Sequence, residues 1–163
     1  MSRTIAIAVA TAALALPSLA LAATIKGTHG PDVLTGTPEA DLIVGRAGDD
    51  TIDAQAGDDR IFGNRGDDQI AAGAGDDRAF GGRGDDQIDG GAGNDRIRAG
   101  RGQDVVAAGD GDDRVFTRGK GRDTVDCGPG QDFVRAGRHD TLTNCETVRI
   151  RGRGRHHDRG DDD

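Results

Sequence analysis

The chain has no tryptophan, no tyrosine, four phenylalanines and one methionine among 163 residues. A conventional globular core built on large rings is therefore excluded. Serine is missing after Ser18, and neither a phosphate-binding loop nor a zinc-ligand spacing occurs, so no serine nucleophile, nucleotide cradle or zinc finger is at hand. The 28 glycines keep no three-residue period and prolines number only four, which excludes collagen and proline-rich linkers. Glutamate is nearly lacking too: of 29 acidic residues only Glu39 and Glu146 are not aspartate. Either acid would serve solubility, so aspartate is being used for its short reach and its turn chemistry.

What is present begins with Met1-Ser2-Arg3 and the run "IAIAVATAALALPSLALA", closed by Ala20-Leu21-Ala22. A basic start, a short apolar stretch and small residues at its end read as a secretory signal peptide over 1–22, and hence as a secreted chain. No later stretch is apolar enough to span a bilayer.

From Gly27 the sequence follows a nine-residue ruler, as in "GRAGDDTID", "GNRGDDQIA", "GGRGDDQID" and "GGAGNDRIR". Position 6 of each unit is acidic: Asp32, Asp41, Asp50, Asp59, Asp68, Asp77, Asp86, Asp95, Asp104, Asp113, Asp123 and Asp132. Position 8 is aliphatic, from Leu34 and Ile43 to Val125 and Val134, with Ala79 the small exception. Two columns in phase are not composition bias. The one break in step reads as an extra residue at Thr117, and the ruler loosens after Arg135. Glycines at positions 1, 2 and 4 suit a turn with positive φ, and the last three residues suit a short strand with position 8 inward.

The outward positions show that the true period is eighteen. Position 7 reads Arg60, Arg78, Arg96 and Arg114 in alternate units, against Thr51, Gln69, Gln87 and Val105 between them. Position 3 alternates likewise, Arg65, Arg83, Arg101 and Lys120 against Ala56, Ala74 and Ala92. Two units then make one turn of a flattened solenoid, with two parallel sheets facing each other across a thin aliphatic line. The expected fold class is an all-β parallel β-roll, two nine-residue units per turn, over residues 23–149, ending in capping coils. The charged segment 150–163, "IRGRGRHHDRGDDD", is expected to be disordered.

Stacking puts successive aspartates about one strand spacing, roughly 4.8 Å, apart, where like charges repel. A thin aliphatic core offsets little of that repulsion or of the entropy of ordering the chain. Hard divalent cations remedy both, because calcium takes six to eight oxygens and glycine turns expose carbonyl oxygens beside the carboxylates. Magnesium demands a tighter octahedron, and zinc would want His or Cys where the repeats offer only His29.

These units resemble the glycine- and aspartate-rich nonapeptides of repeats-in-toxin (RTX) calcium-binding proteins, over about residues 27–135, best in "GGRGDDQID" and "GGAGNDRIR". The resemblance implies a calcium-stabilised β-roll holding several Ca2+ between adjacent loops, through the twelve position-6 aspartates and main-chain carbonyls. With no catalytic constellation and no later apolar run in the residues, the chain is expected to be non-enzymatic and monomeric, with calcium ions as partners, no nucleic acid and no membrane span. Arg46, Gln55 and Asn64 at position 2, and Glu39 where a glycine is expected, mark loops read as weak or empty sites.

Two further features stand outside the ruler. Cys127 and Cys145 lie eighteen residues apart, one coil of the solenoid, and are expected to form a disulfide. Arg60 and Phe62, Arg78 and Phe80, and Arg114 and Phe116 are each two apart, hence on one outer strand face. That strip reads either as self-stacking guanidinium and ring, or as the docking face of an adhesive module for an anionic glycan or surface protein, with Arg96-Ile97-Arg98 breaking the row.

Overall fold

The structure, a computed structural model, describes residues 22–117 and 121–150. Most of the leader, Lys120 and residues 151–163 of the tail lie outside the described residues. The strands are, in chain order, β1 Thr24–Lys26, β2 Val33–Thr35, β3 Leu42–Val44, β4 Thr51–Asp53, β5 Arg60–Arg65, β6 Gln69–Ala74, β7 Arg78–Arg83 and β8 Gln87–Ala92. They continue as β9 Arg96–Arg101, β10 Val105–Ala107, β11 Arg114–Phe116, β12 Thr124–Asp126, β13 Phe133–Ala136, β14 Thr141–Thr143 and β15 Thr147–Ile150. The last strand thus runs one residue past the boundary read from the sequence. Among the described residues no helix is long and apolar enough to cross a membrane.

Odd-numbered strands form one eight-stranded sheet and even-numbered strands a seven-stranded one, with every pairing parallel. The fold is the all-β parallel β-roll that the period of eighteen predicts. Like residues stack on like: Arg60 on Arg78, Phe62 on Phe80, Gln69 on Gln87 and Gly73 on Gly91. A register slip of one residue would turn the aliphatic column outward, which fixes the pairing.

Between the sheets run two inward columns. Position 8 supplies the aliphatic one, with Ile43, Ile61, Ile97, Val115, Val125 and Val134 fully buried. Position 1 supplies the second, as Ala54, Ala72, Ala99, Ala108, Cys127, Ala136 and the buried glycines. The expectation that position 1 is glycine for the sake of positive φ is corrected here: within the nine-residue units the described left-handed residues are at positions 2 and 4, as in Gly82 (φ 131°) and Gly84 (φ 128°). Position 1 is small because it faces inward. A Cβ on Gly63 would run into the Asp68 carboxylate and come within 2.9 Å of the Gly81 carbonyl oxygen on the next turn.

Thr117 is likewise corrected. It is buried in the position-1 column, accepting its place through Thr117 N–H bonding to the Arg135 carbonyl, 3.2 Å. The added residue therefore falls between Thr117 and Asp123, and the registers across it widen to Val105 on Thr124 and Arg114 on Phe133. The closing coils shorten instead, with Phe133 on Thr147. There the Cys127–Cys145 disulfide, with Cα atoms 5.2 Å apart, ties the inward column to the final coil.

Three position-2 residues adopt the left-handed conformation without being glycine: Arg46 (φ 85°), Gln55 (φ 75°) and Asn64 (φ 80°). That conformation costs an L-residue roughly 1–2 kcal/mol, of which glycine's greater freedom in the unfolded chain gives back about 0.5–1 kcal/mol. Arg46→Gly is expected to raise unfolding stability by about 0.5–1 kcal/mol in thermal or urea denaturation. Gln55→Gly should gain less, because the Gln55 amide bonds the Gly36 carbonyl at 2.6 Å. Equal destabilisation by both variants would contradict the strain account.

Candidate metal centre

Each turn between strands ends on its position-6 aspartate, and all twelve are buried. They form two hydrogen-bonded ladders. In one, each aspartate's N–H donates to Oδ1 of the aspartate one turn later: Asp32 to Asp50, Asp50 to Asp68, Asp68 to Asp86, Asp86 to Asp104 and Asp104 to Asp123, at 2.9–3.1 Å. In the other, Asp41 donates to Asp59, Asp59 to Asp77, Asp77 to Asp95, Asp95 to Asp113 and Asp113 to Asp132, at 2.6–2.9 Å.

Both ladders continue beyond the sequence reading. Asp123 N–H reaches Asp140 Oδ1 at 3.3 Å and Asp132 N–H reaches Glu146 Oε2 at 3.0 Å. These two carboxylates were hidden because the closing coils are shorter than eighteen residues and one of the acids is a glutamate. A second, exposed row was also missed. At position 5 the N–H of Asp67 donates back to Asp49, Asp85 to Asp67, Asp76 to Asp58, and Asn94 to Asp76, at 2.7–3.0 Å. The inner and outer ladders thus run in opposite senses.

The other inner carboxylate oxygen has no such partner. Oδ2 of Asp50, Asp59, Asp68, Asp77, Asp86, Asp95, Asp104, Asp113 and Asp132 is buried without a hydrogen bond. Burying a charged oxygen unpaired is expensive, so each must take a proton or a cation. Burial accordingly pushes Asp86 and Asp95 up to about 7. Asp59, Asp68, Asp77, Asp104 and Asp113 rise to about 6 for the same reason. The N–H bond to each carboxylate opposes the rise, and the aspartates one turn away add to it.

The surroundings of these oxygens fit a hard cation. A Cβ on Gly81 would meet both Asp86 Oδ2 and the Ala99 carbonyl oxygen, so carboxylate and main-chain oxygens converge in a crevice that glycine leaves open. Among the described residues no three His, Cys, Asp or Glu side chains come together. A cation there would need a mixed set, with carboxylates from adjacent turns and carbonyl oxygens from the glycine turns. All-oxygen donors of flexible geometry suit calcium rather than zinc. The three loops with Arg46, Gln55 and Asn64, expected to be weak or empty, carry the same left-handed backbone and the same open Oδ2 as their glycine-bearing neighbours.

On the outer face of the eight-stranded sheet the structure assembles the strip read from the sequence. Arg60, Arg78, Arg96 and Arg114 stack in one column. Beside it Phe62 and Phe80 stack at 4.7 Å, and Arg98 does not break the row but fills it, 5.6 Å from the Phe80 ring and 5.8 Å from that of Phe116. Phe133 packs at 6.3 Å from Phe116, so all four aromatic rings of the chain lie on this face.

Because the folded aspartates hold protons more tightly than the unfolded chain, whose value is near 3.8, stability in chelator is fully present below about pH 4 and is lost as pH rises through about 6–7. Urea midpoints in chelator should therefore be higher at pH 5 than at pH 7.5. A midpoint that rises with pH over that range would contradict the buried-carboxylate account.

Residues 26–61, 35–70, 54–88, 62–97, 71–106 and 89–118 each match the family described as the RTX calcium-binding nonapeptide repeat. Among curated proteins nothing matches. The matches end at residue 118, next to the extra residue, although the roll itself continues through β15. With overlapping repeat matches, parallel coils of two nonapeptides and open carboxylates at the turn ends, the chain belongs to the RTX calcium-binding nonapeptide repeat family.

Proposed function

We propose that this calcium-binding β-roll is an exported, monomeric, non-catalytic protein whose folding is completed by several calcium ions held at the position-6 aspartates. The observation that carries the reading is the row of nine buried Oδ2 atoms without hydrogen-bond donors. A calcium ion bound between turns would supply the missing charge, and the two ladders would hold the carboxylates in place for it. Export is supported by the leader-like start and by the Cys127–Cys145 bridge, a bond that persists in oxidising compartments.

Asp86→Asn separates this role from a merely structural one. It removes a ligand, so in millimolar calcium it should lower the thermal midpoint and weaken calorimetric calcium affinity about tenfold, or about 1.4 kcal/mol. In chelator the same change removes a buried charge and should leave the midpoint unchanged or higher. Destabilisation of equal size in both conditions would refute the assignment.

A second reading places an interaction function on the arginine and phenylalanine face, with calcium purely structural. It is favoured by the exposed column in which Arg60, Arg78, Arg96 and Arg114 follow one another about one strand spacing apart, with no ion pair of Arg60, Arg78 or Arg114 among the described residues. Anionic glycans or an acidic surface protein suit such a column. Glycan-array binding should be abolished by Arg78→Ala while the calcium-bound circular dichroism spectrum stays unchanged; retention of binding would remove this reading.

A further inference from the structure

The two ends of the ladders are built differently from their middle. In the first two turns the residue at position 2 is a threonine, and it turns both donors onto the carboxylate oxygen left open elsewhere. Thr28 N–H and Oγ1–H reach Asp32 Oδ2 at 2.5 and 3.0 Å, and Thr37 N–H and Oγ1–H reach Asp41 Oδ2 at 2.6 and 3.0 Å. At the other end the Thr117 hydroxyl donates to Asp140 Oδ2 at 2.6 Å, joined by Gly137 N–H at 2.7 Å.

The backbone divides the turns in the same way. The turns leading to the nine open aspartates all carry a left-handed pair at positions 2 and 4, from Arg46 with Gly48 to Gly128 with Gly130. The turns at Thr28 and Thr37 have no left-handed residue at either position. Threonine explains this, because its branched Cβ makes positive φ costly. The turn that keeps position 2 out of the left-handed region points its N–H and hydroxyl at the carboxylate. The turn that enters that region leaves the oxygen bare.

Accepting the calcium reading, on which this rests, we infer that Thr28, Thr37 and Thr117 close the ladder ends to cations and confine the ion sites to the nine open turns. Among the described residues Asp32 has a neighbouring turn on one side only, and beside Asp41 the preceding coil offers the Ala23 N–H, a donor at 2.6 Å to Oδ1, in place of a glycine turn, so an ion at either would find fewer oxygens. Neutral hydroxyl and amide donors satisfy it instead. The terminal coils are then complete without an ion, and the sites lie between them. Two of the twelve aspartates expected to bind metal, Asp32 and Asp41, leave the set, and Asp140, which lies outside the twelve, does not join it.

Calcium stoichiometry of the intact chain, measured by equilibrium dialysis, tests the assignment in matched double variants. Asp32→Asn with Asp41→Asn should leave the number of bound ions unchanged, whereas Asp50→Asn with Asp59→Asn should lower it by at least one per chain. Circular dichroism in excess calcium checks that both fold, and the single variants Asp32→Asn and Asp50→Asn replace any double that does not. Equal loss of ions in the two doubles would overturn the inference while leaving the calcium reading intact. A wild-type chain that takes up no calcium would instead overturn the reading beneath it.

Discussion

A buried carboxylate oxygen with no donor in reach is the constraint on which this structure turns. Each ladder aspartate spends one oxygen on the N–H of the preceding turn, which aligns the coils, and leaves the other facing a crevice between them. Along each edge these oxygens repeat about every strand spacing, so deprotonation accumulates like charge inside the protein. Protons relieve that charge in mild acid, and divalent cations can relieve it at neutral pH. The fold and its ligand are therefore aspects of one electrostatic problem.

The remainder of the architecture follows from keeping those oxygens in register. Small residues at position 1 let the coils approach closely, and a single aliphatic side chain per unit fills the space between the sheets. The aliphatic column bars a slip of one residue, and the repeated side chains mark the same register on the outer faces: arginine on arginine, ring on ring and glutamine on glutamine. Even the cost of stacking arginines is partly offset, since Arg96 in that column lies 5.5 Å over the Phe116 ring. The ends are held by other means, threonine donors at the first turns and a disulfide at the last.

Much of this was legible in the residues themselves. The acidic column, the aliphatic column and the alternation of arginine with glutamine gave the coil, its period and its two sheets, because a strictly repeated environment leaves a strictly repeated residue. What stayed hidden was whatever the period does not encode. Position-1 glycine and position-2 glycine look alike in the sequence, yet one is small to face inward and the other is left-handed. Arg46 and Gln55 showed no sign that they would accept glycine's conformation, since neighbouring turns impose it. Thr117 read as an insertion because the count breaks beside it, while its burial is set by three-dimensional stacking on the inward column. Asp140 and Glu146 completed the ladders from coils too short for the ruler to find.

Amide hydrogen exchange across residues 45–132, compared in chelator and in millimolar calcium at pH 7.5, tests the central claim most directly. The ladder amides of both edges should exchange fast without calcium and gain protection together as it binds, because the same carboxylates accept those amides and hold the ions. Equal protection in the two conditions would show that the coils stand without a cation and would contradict the account.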